Sequence, residues 1–173
     1  MKRLIFILFS GLFFANLQAQ VGDLLAGANG GFITKYNTGM YGLNVSYHIT
    51  DPLEASFTSL LNPKVSLTDE FDKSLVDKLS LYSFNLDLRY YMLHMRDWGT
   101  GPTLGYQLLV VKDKNKNASL GDFNASGLNL GWHVRVNLTD EIKIFGGWRY
   151  TMASENASHH LFNIGIGYTF SLF

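Results

Sequence analysis

The chain has 173 residues, a length that suits a single domain. Its formal net charge is zero, so no overall electric field favours binding to nucleic acid. Only 16% of the residues are charged, against about 25% in an average soluble domain. The absence of cysteine excludes disulfide bonds, thiolate metal sites and a lipid-modified N-terminal cysteine.

The N-terminal segment has the pattern of a secretory signal peptide. Two basic residues precede an apolar run from Leu4 to Phe14, and small and polar residues follow up to Ala19. The run is shorter than the roughly 20 apolar residues that a membrane-spanning helix needs, which disfavours a permanent membrane anchor. We therefore predict a signal peptide at residues 1–19 and an exported mature chain at residues 20–173.

Alternation of apolar and polar residues predicts eight β-strands in the mature chain. The first, about Leu24 to Lys35, is rich in glycine and has the weakest pattern. The last, His160 to Phe173, has bulky apolar residues at its even positions and mostly small polar ones at its odd positions. The strands between them read MYGLNVSYHI, LEASFTSLL, LYSFNLDLRYYM, TLGYQLLVV, GLNLGWHVRVNL and IKIFGGWRYTM.

The connections between these strands alternate in length. Three are tight turns rich in Asp, Gly or Pro, at residues 50–52, 94–100 and 139–141. Three longer polar links begin at Asn62, Lys112 and Ala153. Short turns on one side and long loops on the other predict an all-β, eight-stranded antiparallel up-and-down transmembrane β-barrel. Because apolar residues between Leu67 and Leu79 recur at helical spacing, we also expect a short amphipathic helix in the first long link.

Alternation alone does not decide which face of the barrel meets lipid. A soluble lipocalin-like binder also alternates, but it keeps its apolar side chains inside around a ligand and its charges outside. Here the polar face is rich in Gly, Ser and Asn and poor in Lys and Glu, as a narrow eight-stranded interior requires. Aromatic residues fall toward both ends of the strands, where membrane barrels carry their interfacial belts. We therefore predict that the apolar face meets lipid.

Six charged residues on the polar face of the predicted strands form the candidate site: Glu54, Asp87, Arg89, Arg135, Lys143 and Arg149. Buried charges are costly unless they are paired. We therefore expect the two acids to form ion pairs with the four cations inside the barrel, with His48 and His133 nearby. Such a lumen is a plug of fixed ion pairs. The excess of cations leaves open a narrow, porin-like channel for small anions.

Two further motifs each contain part of a functional site, one of a metal site and one of a hydrolase active site. His159 and His160 are adjacent, so on a regular strand they point to opposite faces and do not bind one metal ion together. Outer-membrane lipid A deacylases carry a His-x-Ser motif followed by Asn near the end of the penultimate strand, with the His as base and the Ser as nucleophile. The corresponding stretch here is RYTMASENAS. Ser154 matches the nucleophile, but Met152 stands in place of the base. We therefore predict no enzymatic activity, no metal and no cofactor.

The C-terminal sequence IGIGYTFSLF resembles the insertion signal of bacterial outer-membrane barrels, an amphipathic last strand that ends in an aromatic residue. Together with the leader and the hairpin pattern, it makes the mature chain resemble small eight-stranded barrels. This family includes the transmembrane part of outer-membrane protein A, the X-type barrels and the Ail adhesins. One feature departs from the pattern: Phe173 falls on the polar face, so we expect Phe170 to serve as the signal.

The resemblance implies a location in the bacterial outer membrane, with outer-membrane lipids and the barrel insertion machinery as partners. It implies a structural or surface-interaction role, adhesin-like, through extracellular loops. The sequence does not identify the ligand of those loops. A narrow porin-like channel is the alternative function, and a lipid A-modifying enzyme or a soluble lipocalin-like binder is less favoured.

Overall fold

The computed structural model describes residues 22–68, 76–113, 123–154 and 157–171, so the predicted signal peptide at residues 1–19 lies outside the described chain. The described chain is all β. No helix within these ranges is long and apolar enough to cross a membrane. The strands are β1 Asp23–Ile33, β2 Thr38–Thr50, β3 Leu53–Thr68, β4 Val76–Tyr90, β5 Leu93–His94, β6 Trp98–Asp113, β7 Phe123–Asn137, β8 Ile142–Ala153 and β9 His159–Ser171.

Eight long strands form one closed antiparallel barrel. Strand β5 has only two residues and pairs with the start of β6, so β4 pairs directly with β6 in the barrel wall. The first and last strands pair from Asp23↔Ser171 to Ile33↔Leu161 and complete the ring. Each long strand thereby has hydrogen-bond partners on both sides, as a strand in lipid requires. The predicted eight-stranded antiparallel barrel is confirmed.

The two ends of the barrel differ. The turn end carries Asp23 and Ser171 together with the links between β2 and β3, between β4 and β6, and between β7 and β8. The loop end carries the links between β3 and β4, between β6 and β7, and between β8 and β9, as well as the four-residue turn Thr34–Asn37 between β1 and β2. Asn37 adopts a left-handed backbone conformation with φ of 44°, which asparagine tolerates better than most residues.

The helix predicted between Leu67 and Leu79 is wrong for the described residues at its ends. Strand β3 continues to Thr68 and β4 begins at Val76, and the two pair through Ser66↔Lys78, Leu67↔Asp77 and Thr68↔Val76. Continuing the ladder gives the backbone groups of these residues partners that a short isolated helix provides only marginally. Residues 69–75 of the predicted helix lie outside the described chain.

The outer surface of the barrel is a band of apolar side chains. Leu43, Leu86 and Ile164 are 66%, 63% and 67% exposed, and they lie on different strands. The side chains that alternate with them point into the lumen, as Asn44 and Asp87 do at 1% exposure each. These strands therefore have the predicted faces, with apolar side chains outside and polar side chains inside.

The lumen is narrow enough that glycine is required where a large side chain crosses it. A Cβ atom on Gly165 would lie 2.5 Å from Cζ of Phe145, which projects inward from the neighbouring strand β8. Phe145 is 4% exposed. Any larger residue at position 165 would displace the Phe145 ring, so the small residues of the polar face make room for side chains that fill the interior.

Candidate functional site

The loop end of the lumen is filled by a cluster of apolar side chains, here called the apolar plug. It consists of Ile33, Tyr36, Met40, Leu60, Leu79, Leu81, Leu109, Val111 and Leu161. Strands β1 and β6 lie on opposite sides of the barrel, and both contribute to the cluster, so the plug extends across the lumen. Burial raises the pKa of Tyr36, in the β1–β2 turn, to about 12. The predicted lumen was rich in Gly, Ser and Asn and contained paired charges, and an apolar cluster at this end was not predicted.

The turn end of the lumen contains a network centred on Glu54, here called the Glu54 cluster. The Glu54 carboxylate is 1% exposed and accepts a hydrogen bond from Arg89 Nη1 at 2.7 Å and one from the Tyr91 hydroxyl at 2.9 Å. Arg135 Nη1 lies 3.3 Å and His48 Nε2 lies 3.4 Å from the same carboxylate. Since a buried carboxylate is costly without partners, these contacts fix Glu54 as an anion between two guanidinium groups.

Tyr91 connects this cluster to a further histidine. The guanidinium carbon of Arg135 lies 4.4 Å from the centroid of the Tyr91 ring, a cation–π geometry. His133 meets the same ring edge-on, with ring centroids 4.4 Å apart. Alternation puts Tyr91 on the same polar face as Arg89, but no role for it was predicted. The signal available was a large aromatic residue two positions after Arg89, on a face otherwise made of small polar and charged residues.

A second network surrounds Asp87 and is here called the Asp87 cluster. Arg149 Nη2 lies 2.8 Å from Asp87 Oδ2, and both side chains are at most 4% exposed. Asn129 donates to Asp87 Oδ1 at 3.3 Å, and Arg149 donates to Asn163 Oδ1 at 3.1 Å. Thr151 joins the network by donating to Asn129 Oδ1 at 2.7 Å. The contacts involve strands β4, β7, β8 and β9, so the cluster joins several walls of the barrel.

Lys143 does not take part in these ion pairs. Its Nζ donates to the backbone carbonyl of Asp140 at 2.7 Å, in the turn between β7 and β8. The expected pairing of Lys143 with Glu54 or Asp87 is therefore corrected. The reason is its position as the second residue of β8, where the flexible side chain reaches the solvated turn and avoids the cost of burial. The other five candidate residues are buried in the lumen, at 6% exposure or less.

The two remaining motifs, the histidine pair and the RYTMASENAS stretch, do not bring their side chains together. His159 is buried, with Nδ1 2.8 Å from the Ala157 carbonyl, whereas His160 lies outside and accepts a hydrogen bond from Trp148 Nε1 at 3.1 Å. Met152 points outward and is 43% exposed, and Ser154 is exposed beyond the end of β8. In the described part of the chain, no group of three His, Asp or Glu side chains has the arrangement of a metal site.

Comparison with known proteins agrees with this architecture. Residues 5–170 match the family model of the outer membrane protein beta-barrel domain. The chain belongs to this family. The match confirms the resemblance inferred from the sequence and places the protein in the bacterial outer membrane. No curated protein matches the chain closely enough to be a relative. By the usual layout of the family, short turns face the periplasm, so the loop end faces outward.

Several solved barrels have the same fold. OprG of Pseudomonas aeruginosa gives a TM-score of 0.67 at 14% identity, with 88% of this chain and 98% of OprG covered. The N-terminal barrel of OprF from the same organism gives 0.63 at 14% identity, with 87% and 98% covered. Ail of Yersinia pestis, in complex with the heparin analogue sucrose octasulfate, gives 0.61 at 12% identity, with 87% and 99% covered. At such identities the similarity establishes the fold.

Proposed function

We propose that this protein is a closed, non-conducting barrel with a structural or adhesin-like role at the cell surface. The observation that supports this proposal most is the apolar plug, whose side chains from opposite walls pack against each other at the outward-facing end. A hydrophobic constriction excludes water and therefore ions. Below it, the Glu54 and Asp87 clusters hold their charges in fixed pairs. With the lumen closed, the loops are the part of the protein that contacts other molecules.

The first test of this role is a binding assay on intact cells. The Ail structure contains a heparin analogue, and the β6–β7 link region of this chain contains Lys112, Lys114 and Lys116, so surface-bound heparin is a suitable first probe. We expect cells that display the protein to bind the heparin surface and cells with residues 114–119 deleted to lose this binding.

A matched control deletes residues 69–75 from the β3–β4 link, which carries Asp69, Glu70 and Asp72 in place of the lysine run. Both deletion variants should still show the heat-dependent gel mobility of a folded barrel. If wild-type cells bind heparin no better than cells lacking the protein, the heparin arm of the proposal fails. If they bind and both deletions leave binding unchanged, neither deleted segment is the heparin site.

A narrow porin-like channel is the second candidate. Polar side chains fill the turn end of the lumen, and the guanidinium groups there favour anions over cations. This function requires the apolar plug to open. Single-channel recording distinguishes it from the closed barrel, because only a channel gives steady current.

The proposal includes processing and partners. We propose cleavage of residues 1–19 on export, insertion by the barrel insertion machinery and contact of the outer surface with outer-membrane lipids. N-terminal sequencing of protein purified from outer membranes should begin at Gln20. A first residue at Met1 would show that the leader is retained and would contradict the cleavage.

A further inference from the structure

The two buried clusters are unequal in charge. Three guanidinium groups, those of Arg89, Arg135 and Arg149, face two carboxylates, those of Glu54 and Asp87. All five side chains are at most 7% exposed. Arginine stays protonated in proteins, so the excess is one positive charge. Protonation of a nearby histidine would only increase it.

Two guanidinium donors in the same region also have no acceptor. Arg89 Nε and Arg135 Nε are buried without a hydrogen-bond partner. His133 Nε2 is also buried without a partner, and it is a donor in the tautomer in which Nδ1 is the acceptor. The other ring nitrogen of His133 contacts the Thr103 hydroxyl at 3.2 Å. A buried donor without an acceptor costs free energy, more so for a charged group. Both the charge and the donors of this region therefore call for an additional acceptor with negative charge.

Two of these three residues pack on one side chain, and the third shares a carboxylate with it. Arg135 and His133 both pack on the Tyr91 ring, at 4.4 Å from its centroid in each case. Arg89 and Tyr91 share the Glu54 carboxylate. The cluster lies at the turn end, where His48 is 13% exposed, and the apolar plug fills the opposite end. An ion would reach it from the periplasmic mouth.

We propose that the lumen binds one small monovalent anion of the halide class beside Arg135, Arg89 and His133. The charge excess of one selects a monovalent ion, because a divalent anion would leave a buried negative charge in its place. The crowded interior, in which Phe145 already requires glycine opposite it, favours a compact ion over an organic acid. The site is a periplasm-facing binding site in a lumen that does not conduct.

The test measures thermal unfolding of the refolded mature chain in detergent at constant ionic strength, with gluconate replaced stepwise by chloride or bromide. Excluded, strongly hydrated anions such as sulfate stabilise proteins in general. Bromide is weakly hydrated and lacks this effect, so the general order of salts predicts no stabilisation by bromide. A specific site reverses this order, because a ligand that binds only the folded state raises its stability in a saturable manner. We expect the unfolding midpoint to rise and saturate with chloride and bromide.

Arg135→Gln is the decisive variant, because it leaves two guanidinium groups and two carboxylates and keeps Arg89 and Tyr91 on Glu54. Its unfolding midpoint should no longer respond specifically to halide. Arg96→Gln is the matched control, since Arg96 lies exposed in the link after β4, and it should retain the full halide response. An equal response in both variants would overturn the proposal.

Bromide scattering gives a second readout that does not depend on the variants. Crystals of the wild type grown in bromide should show an anomalous peak beside Arg135 and Tyr91. Bromide peaks confined to the outer surface, together with midpoints that follow the general order of salts, would show that no such site exists.

Discussion

The two halves of the lumen solve the same packing problem with different chemistry. At the loop end, Leu60 and Leu109 are buried at 0% and 1% exposure within an apolar plug. At the turn end, Glu54 and Arg89 fill the space as a hydrogen-bonded ion pair at 2.7 Å. In the apolar half, truncation of a side chain should lower the free energy of unfolding in proportion to the volume removed. The charged half depends on each partner, because removal of one leaves a buried charge.

The largest difference should appear when one acid of the charged half is removed. Asp87→Ala leaves Arg149 without its carboxylate, and we expect a loss of about 3 to 5 kcal/mol in the free energy of unfolding. Urea titration of the refolded barrel in lipid vesicles measures it. Asp87→Asn keeps the side-chain volume and should lose a similar amount, because the charge carries the effect. Wild-type stability in both variants would show that the pair is dispensable.

Truncation in the apolar half should follow. Leu60→Ala removes a fully buried side chain from the plug, and we expect a loss of about 2 to 5 kcal/mol from the cavity and the lost transfer energy. Leu43→Ala is the control on the outer face, where Leu43 is 66% exposed in the absence of lipid. Lipid chains can fill that space, so its loss should be smaller. Equal losses would mean that the plug is not tightly packed.

A charge on the lipid-facing side should have the next largest effect on the free energy of unfolding. Leu86→Arg and Leu130→Arg place a charge on the lipid side, and each should cost about 2 to 4 kcal/mol near the bilayer centre. Asp51→Arg, in the exposed β2–β3 turn, should be nearly neutral. The midpoint of refolding into vesicles measures all three. Equal tolerance at Leu86 and Asp51 would mean that the assigned outer face does not meet lipid.

The smallest effect is expected at Lys143. Because its ammonium group binds the Asp140 carbonyl at the solvated turn, Lys143→Gln should change the free energy of unfolding by less than about 0.5 kcal/mol. Arg149→Gln removes the partner of Asp87 and should cost several times more. The same urea titration compares the two. A Lys143→Gln loss as large as that of Arg149→Gln would place Lys143 in the buried network.

The barrel was predictable from the sequence because period-two alternation is a local property that also determines which face each residue occupies. The same rule put Glu54 and Asp87 inside. It could not say which residues meet across the lumen, since Ile33 and Leu109 are far apart in sequence and join only when β1 pairs with β9 and closes the barrel. The apolar plug and the role of Tyr91 depend on such long-range contacts.

Two errors show where local rules stop. The helical spacing between Leu67 and Leu79 predicted a helix, but the described residues at both ends of this segment pair as strands. Pairing with an existing strand satisfies more backbone groups than one short helix does. Lys143 occupies an inward position by alternation, but it lies one residue from the end of β8, where a long side chain reaches solvent. Alternation predicts direction, and depth along the barrel decides environment.

Planar-bilayer recording of the refolded wild type tests the closed lumen most directly. The apolar plug and the fixed ion pairs predict no single-channel steps in the wild type. They also predict brief openings in a Leu60→Ala/Leu109→Ala variant, in which two side chains of the plug are shortened. A steady wild-type conductance that neither this variant nor Asp87→Ala changes would contradict the closed lumen and establish the protein as a narrow channel.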